Sequence, residues 1–345
     1  MVRQTFGDFE IVAIDDGSTD STPAILDSFA ERDSRVRVIH TPNRGIISAL
    51  NTGIDECRGE LIARMDADDI SHPQRLEKQV ELMDGHSEVS VCSSLIRMFP
   101  RAHLLGGLVR YEEWLNSLVM HDEIERDVFI ESPVAHPSVM LRREELVAIG
   151  GYAEHGWAED YDLWLRYYVN GKRFAKVPST LLFWRQSEGR LTFTDSRYSV
   201  ENFLRAKAHY LARLVPSLPN DKPEAVIPPH SNGEGEAVIP PLSRRRLGGG
   251  PSARPIILWG AGQNGRRLCK HLLREGIDLE AVVDVDAAKI GHTMRGKPIV
   301  GVDYLRGRTD AFVISAVGSN MARRLIREKL QEFGFVETRD FVCAA

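Results

Sequence analysis

Asp66-Ala67-Asp68-Asp69 brings three carboxylates together just after the short apolar run Leu61-Ile62-Ala63. Like charges this close repel, which costs stability unless a cation or a hydrogen-bond network offsets it. Oxygen-only ligands at this spacing suit Mg2+ or Mn2+, hard ions that keep several waters and take further contacts from phosphates. A solvated loop or a helix N-cap is the plainer reading of the same residues. Asp15-Asp16 lead into Gly17-Ser18-Thr19-Asp20, where an Asx turn that orders the loop would also account for them. Glu159-Asp160 open the run Tyr161-Asp162-Leu163-Trp164. Acids in a first helical turn compensate the helix dipole, and on physics alone nothing more is required of them. His136, set between Ala135 and Pro137, could contact a substrate or serve the structure.

A different chemistry is suggested further on. Gly260-Ala261-Gly262-Gln263-Asn264-Gly265 follows Ile256-Ile257-Leu258-Trp259, and Asp284 lies about 20 residues beyond the turn. Backbone amides at such a helix start can hold a phosphate, with the acid on a ribose. A glycine-tight packing turn with nothing bound is the alternative.

These residues need elements to position them. In the first half, apolar β-branched runs at Phe9–Ile14, Val36–His40, Leu61 onward and Val89–Ser93 read as strands. Between them, helices are expected from Thr22 with Pro23 at its start, over Ile46–Cys57, and from Pro73 with Leu76, Val80 and Met83 on one face. This alternation predicts an α/β fold, a mostly parallel sheet with helices on both faces. Ligands of such sheets sit beyond the carboxyl ends of the strands, where Asp15/Asp16 and Asp66/Asp68/Asp69 fall. Trp114, Leu115, Leu118 and Val119 suggest an amphipathic helix, Ser132 to Arg143 with its proline-bounded entry a strand lining a pocket, and Arg197–Leu214 a further helix.

Gln4-Thr5-Phe6, Asp15 to Asp20, Asn43-Arg44-Gly45, Asn51-Thr52-Gly53, and Asp66-Ala67-Asp68-Asp69 with Pro73 and Arg75-Leu76 resemble, in order, the motifs of the family 2 glycosyltransferases of the GT-A fold. The resemblance runs to about Asp195. It implies that Asp16 contacts the base of a nucleotide-diphosphate sugar, and that Asp66 and Asp68 face the ribose and a metal-bound diphosphate. Asp15, Arg44 and Asp69 complete the expected donor side, with Asp66 and Asp68 as the metal ligands. The Glu159-Asp160 pair looks like the family's catalytic-base motif, which makes Asp160 the general base of an inverting transfer. His136 and Trp157 are the expected acceptor-side residues. The donor would be a nucleotide-diphosphate sugar and the acceptor a glycan or lipid-linked hydroxyl, as in polysaccharide or cell-surface glycan synthesis.

Two departures stand out. The family's first strand and helix precede the segment that begins here at Gln4, so an impaired nucleotide-sugar-binding or regulatory protein is the competing expectation. Many relatives carry a histidine soon after a Tyr-Arg pair, and Trp184-Arg185-Gln186-Ser187 has none, which leaves a third protein ligand in doubt.

The chain has 345 residues, 43% hydrophobic and 27% charged, enough for two cores. Expected boundaries are a GT-A domain over 1–215, a Pro/Gly-rich disordered linker over 216–254 in which Glu-Ala-Val-Ile-Pro-Pro occurs twice, and a Rossmann-like domain over 255–345. A nucleotide in that last domain would use Gly260, Gly262, Gly265 and Asp284. A net charge of −5 argues against nucleic acid as the main partner. No run offers the roughly 18 apolar residues of a membrane span, and no signal-peptide core opens the chain. With four scattered cysteines, the reading is a cytoplasmic protein, peripheral attachment at the inner membrane face left open.

Overall fold

The computed structural model describes residues 1–187, 189–215 and 254–345. The expected linker, 216–254, therefore lies outside the described residues but for Arg254. The first half opens with β1 (Ile11–Asp16), α1 (Thr22–Arg32), β2 (Val36–Thr41) and α2 (Ile46–Glu56). β1 and β2 pair in parallel as a two-stranded sheet of their own, Asp16 opposite Thr41. Then come β3 (Leu61–Ala63), β4 (Ile70–Ser71), α3 (Arg75–Gly85), β5 (Val89–Phe99), α4 (Gly106–Ser117), α5 (His121–Asp127), β6 (Met140–Arg142) and α6 (Arg143–Ala148). The half closes with α7 (Glu159–Val169), β7 (Arg173–Arg185), α8 (Leu191–Thr194) and α9 (Val200–Leu214).

Five of these strands form one sheet in the order β3-β6-β5-β7-β4. Only β5 and β7 run parallel, and β3, β6 and β4 pair antiparallel with their neighbours. The α/β class is the expected one, while the pairing is mixed where alternation alone predicts mostly parallel strands. β3, β4 and β6 are only two or three residues long, and β3 passes to β4 through a loop with no helix between them, so no right-handed helical crossover ties these two strands into a parallel arrangement. β3 and β4 are the two edges of this sheet, so the acidic stretch between them runs from one edge to the other.

The second half contains β8 (Ile256–Trp259), α10 (Gln263–Arg274), β9 (Leu279–Val283), β10 (Thr293–Met294), β11 (Lys297–Val300), β12 (Phe312–Ser315), α11 (Asn320–Glu332) and β13 (Phe341–Cys343). Its sheet has the order β10-β11-β9-β8-β12-β13. Apart from the β10 hairpin the pairs are parallel, with β8 central and the order reversing between β8 and β12. That is the doubly wound arrangement, whose crevice opens at the reversal.

The two halves are packed together. One apolar cluster joins Tyr161, Trp164, Leu204 and Leu211 of the first half to Leu268, Leu272 and Val282 of the second. Burying such surface is the main source of stability between packed elements. Polar contacts fix the fit. Glu201 on α9 accepts from Lys270 at 2.5 Å and meets His271 at 2.9 Å, both on α10. Lys207 Nζ donates to the carbonyls of Ile130 at 2.8 Å and Ala344 at 3.2 Å. Arg327 on α11 donates to Asp127 at 2.6 Å.

Candidate active site

The acidic loop is held at its base by a buried guanidinium. Arg75, fully buried at the start of α3, donates to the carbonyls of Arg64 at 2.7 Å and Val139 at 3.2 Å, and to Gln79 at 3.0 Å. It thus ties the exit of β3 to the entry of β6. At its far end the loop meets the last residue of β7. The Arg185 backbone N–H donates to Asp69 Oδ1 at 2.7 Å, and its Nε donates to the Asp68 carbonyl at 2.7 Å. The segment after β7 therefore does come to the acidic loop, as the family pattern implies, with an arginine backbone there and no histidine.

Within the loop, carboxylate oxygens of Asp66, Asp68 and Asp69 lie within 4.8 Å of one another. Asp69 Oδ2 is buried and has no hydrogen-bond partner. Burial, and then the neighbouring Asp66 and Asp68 charges, push the Asp69 carboxyl up to about 7, against the pull of the Arg185 amide. An orphaned buried oxygen in a set of three carboxylates is what a divalent cation would satisfy, and all-oxygen donors fit Mg2+ or Mn2+. The residues present fit the ion.

Asp160 is the only residue of α7 that is not buried. The helix places it in the first turn, and its Oδ1 accepts from the Tyr161 amide at 2.7 Å. Burial of its surroundings, then the adjacent Glu159 charge, raise its pKa well above the carboxylate range. Glu159 itself is buried, and both its oxygens accept from the Tyr198 hydroxyl, at 2.9 and 2.8 Å. Burial raises its pKa too. One acid of the pair is thus buried and tied to a tyrosine hydroxyl, and the other is half-buried with a single backbone donor.

Arg64 brings a cation to the acidic loop, and its charge acts on this base. It pairs with Asp66 at 2.5 Å. Burial pulls its pKa down, but the Asp66 carboxylate, with Tyr152 and Asp160 further off, leaves it raised on balance. Its Nη1 is buried without a partner. The motif reading passed over Arg64, although a lone charge in the run Leu61-Ile62-Ala63-Arg64-Met65 was a usable signal. Tyr198 had no local signal of this kind.

The two expected acceptor-side residues, His136 and Trp157, are both buried. His136 is 6% exposed, with Nε2 2.7 Å from the Tyr152 hydroxyl and its ring 6.0 Å from Trp164. Burial, then the Arg64 charge, hold its pKa well below the usual value, so it is a neutral ring beneath the site. Trp157 is buried and donates to Asp162 at 2.8 Å. Asp162 also accepts from Tyr210 at 2.7 Å and Arg166 at 2.8 Å.

Asp15 and Asp16 form a second cluster on the two-stranded sheet. Asp16 accepts from the backbone amides of Arg44 at 2.9 Å and Gly45 at 2.8 Å, which fastens the loop into α2, while the rest of Arg44 is exposed. Asp15 is buried, accepts from the Ser18 amide at 3.0 Å and lies 2.8 Å from His40. The hydrogen bond from Ser18, and then that from His40, lower its pKa. These carboxylates share no hydrogen bond with the Asp66 cluster. Asn51, from the Asn51-Thr52-Gly53 motif, reaches across to the 150s loop and exchanges 2.9 Å bonds with both the amide and the carbonyl of Tyr152.

In the second half, Gly260 has φ +118° and a Cβ on Gly265 would stand 1.7 Å from the Gly260 carbonyl oxygen. Both positions need glycine for the turn to close. Asp284 accepts from the Ala261 amide at 2.7 Å, so the acid after β9 does meet the glycine turn. A cavity of about 380 Å³ beside it is lined by Ala261, Arg266, Lys289, His292 and Arg295, among others.

The glycosyl transferase family 2 model matches residues 1–149. The O-antigen biosynthesis glycosyltransferase WbnJ of Escherichia coli is 30% identical over 217 residues, 60% of this chain and 82% of that protein. The amylovoran biosynthesis glycosyltransferase AmsE of Erwinia amylovora is 32% identical over 182 residues, 52% of this chain and 65% of that one, so the chain spans under two thirds of AmsE. Among solved structures, the mannosyltransferase PcManGT of Pyrobaculum calidifontis, in complex with GDP-Man and Mn2+, overlaps 61% of this chain and 55% of its own at 21% identity and a TM-score of 0.44. The WbnJ match alone, covering most of that protein, suffices: the chain belongs to glycosyl transferase family 2.

Proposed function

We propose that the protein is an inverting, metal-dependent glycosyltransferase that moves a sugar from a nucleotide-diphosphate donor to a hydroxyl of a glycan or lipid-linked acceptor, in polysaccharide or cell-surface glycan synthesis. The observation that carries this reading is the join between two sites. Three clustered carboxylates, one with an orphaned buried oxygen, hold the Arg64 guanidinium on Asp66, and the Arg64 charge also acts on Asp160, the one half-buried carboxylate of α7. Donor and metal residues are Asp66, Asp68 and Asp69, with Asp15, Asp16 and Arg44 shaping the base and ribose side. Residues 1–215 form the catalytic domain in this reading and 255–345 a module that takes a phosphate-bearing ligand at Gly260, Gly262, Gly265 and Asp284.

A bound Mg2+ or Mn2+ would supply charge neutralisation of the diphosphate leaving group. Asp66, Asp68 and Asp69 would hold it. Asp160 accepts the proton of the acceptor hydroxyl as that oxygen forms its bond to the anomeric carbon. The bond from that carbon to the diphosphate oxygen breaks in the same displacement, and the oxygen leaves with the electron pair. One displacement inverts the anomeric configuration. Glu159, held by Tyr198, keeps a charge beside Asp160 that makes it a stronger base.

Asp68→Ala, assayed with Mn2+ against a panel of nucleotide sugars, should lose the thermal stabilisation that a donor gives the wild type, since ligands that favour the folded state raise its melting point. An unchanged Mn2+-dependent stabilisation and turnover in that variant would remove the metal assignment.

No helix among the described residues is long and apolar enough to cross a membrane. The reading places the enzyme in the cytoplasm, where nucleotide sugars and the inner membrane face are both in reach.

A further inference from the structure

Between the two halves lies a cleft of about 410 Å³, with Tyr111, Trp114 and Glu131 on the catalytic side and Ser319, Asn320 and Arg323 on the other. The second set belongs to the turn from β12 into α11, at the carboxyl edge of the module's sheet. Tyr111 and Trp114 stack with centroids 5.7 Å apart and 28° between planes. Their polar ends are occupied. The Tyr111 hydroxyl donates to the Ser132 carbonyl at 3.0 Å and Trp114 Nε1 to Asp127 at 3.2 Å. The two rings therefore form a fixed platform, with much of the ordering cost met before anything binds. The module braces this platform, because Arg327 on α11 holds the same Asp127. The facing turn is equally fixed. Arg323, itself 7% exposed, donates to the carbonyls of Gly318 at 2.9 Å and Ala345 at 2.7 Å, and to the Asn320 side chain.

Resting on the transferase reading above, we propose that the sugar acceptor binds in this cleft, so that the C-terminal module supplies one wall of the acceptor site. The chemistry suits a saccharide. An aromatic platform accepts the C–H face of a pyranose ring, and the Glu131 carboxylate with the Ser319 and Asn320 side chains offers hydroxyl partners around it. The Tyr111 phenol is raised by burial first and then by the Glu131 and Asp160 charges, and Glu131 is among the charges that raise Asp160. Both catalytic-side residues thus share an electrostatic environment with Asp160, in keeping with an acceptor bound on this side of the catalytic half. Glycosyl transfer then needs both halves of the chain.

The test uses saturation-transfer NMR on the full chain, with p-nitrophenyl β-D-glucoside, β-D-galactoside and N-acetyl-β-D-glucosaminide as probes. Met321, another lining residue, is 67% exposed, so Met321→Trp can fill the cleft without disturbing a core. Transfer to at least one probe is expected from the wild type, with affinity about tenfold weaker in Met321→Trp and in Tyr111→Ala, a loss of about 1.4 kcal/mol. Mn2+-dependent stabilisation by nucleotide sugars should be unchanged in Met321→Trp. Absence of transfer to every probe, or equal transfer in wild type and both variants, would overturn the proposal. Loss of the donor response in the wild type while probes still bind would instead count against the transferase reading and leave the cleft a saccharide site.

Discussion

The carboxyls of Asp69, Glu159 and Asp160 are held against the ordinary preference of their side chain, and the cost at Asp160 can be measured. Asp160 has a raised pKa, so the folded state binds its proton more tightly than the unfolded chain does. Relative to a residue that never ionises, Asp160 therefore loses stability as pH rises above the unfolded value of about 4. Asp160→Asn should melt higher than the wild type at pH 8 and at the same temperature at pH 4, while turnover falls by a factor on the order of 10³ and donor binding persists. Calorimetry at the two pH values, beside a donor titration, checks all of this. Because the base must be ionised, wild-type turnover should climb with pH through the raised Asp160 pKa. Arg64 is among the charges that lower that pKa. Arg64→Met should move the rising limb of the pH–rate profile to higher pH, and a limb that stays in place would show that Arg64 does not act on the base.

At the scale of elements, the acidic loop owes its shape to α3 and β7 more than to its own sequence. Arg75→Met would leave the Arg64 carbonyl without its 2.7 Å donor, at a cost of about 1–3 kcal/mol for a buried group left unpaired, while the Val139 carbonyl keeps the Arg64 amide at 3.0 Å. A lower melting temperature and weaker Mn2+ binding by electron paramagnetic resonance are expected together. The sequence made much of this legible. Pro23, the Asp16 turn and the apolar spacing of α3 identify their elements from local chemistry, and the observed α1, α2, β2 and α9 begin or end within a few residues of expectation. β7 went unread. Lys176 and Pro178 interrupt its apolar pattern, yet Lys176 is buried, its ammonium donating to the Leu115 carbonyl at 2.6 Å, with burial holding its pKa down to about 7. A buried lysine looks like a surface residue in a pattern of hydrophobicity. The same limit hid Tyr198 and the Asp127 brace, whose partners are distant in the chain. The acidic motifs could be found because their residues are neighbours in sequence, whereas the ties that make them a site are not.

The whole molecule is organised by the packing of its two halves. α9 carries Leu204 and Leu211 in the shared apolar cluster, and its Glu201, Lys207 and His209 all contact the second half or its last strand. Unfolding should therefore be one cooperative transition by calorimetry, with the calorimetric and van't Hoff enthalpies equal. Two separated transitions would show the halves to be independent. Tyr198, just ahead of α9, holds the Glu159 carboxylate, while the helix beyond it leans on the module. This has a practical consequence for anyone who grafts the module onto another transferase. Cutting anywhere in 216–254 would separate the module from the helical face it was shaped to meet. The transplantable cassette starts before Ser196 and carries its own docking helix along.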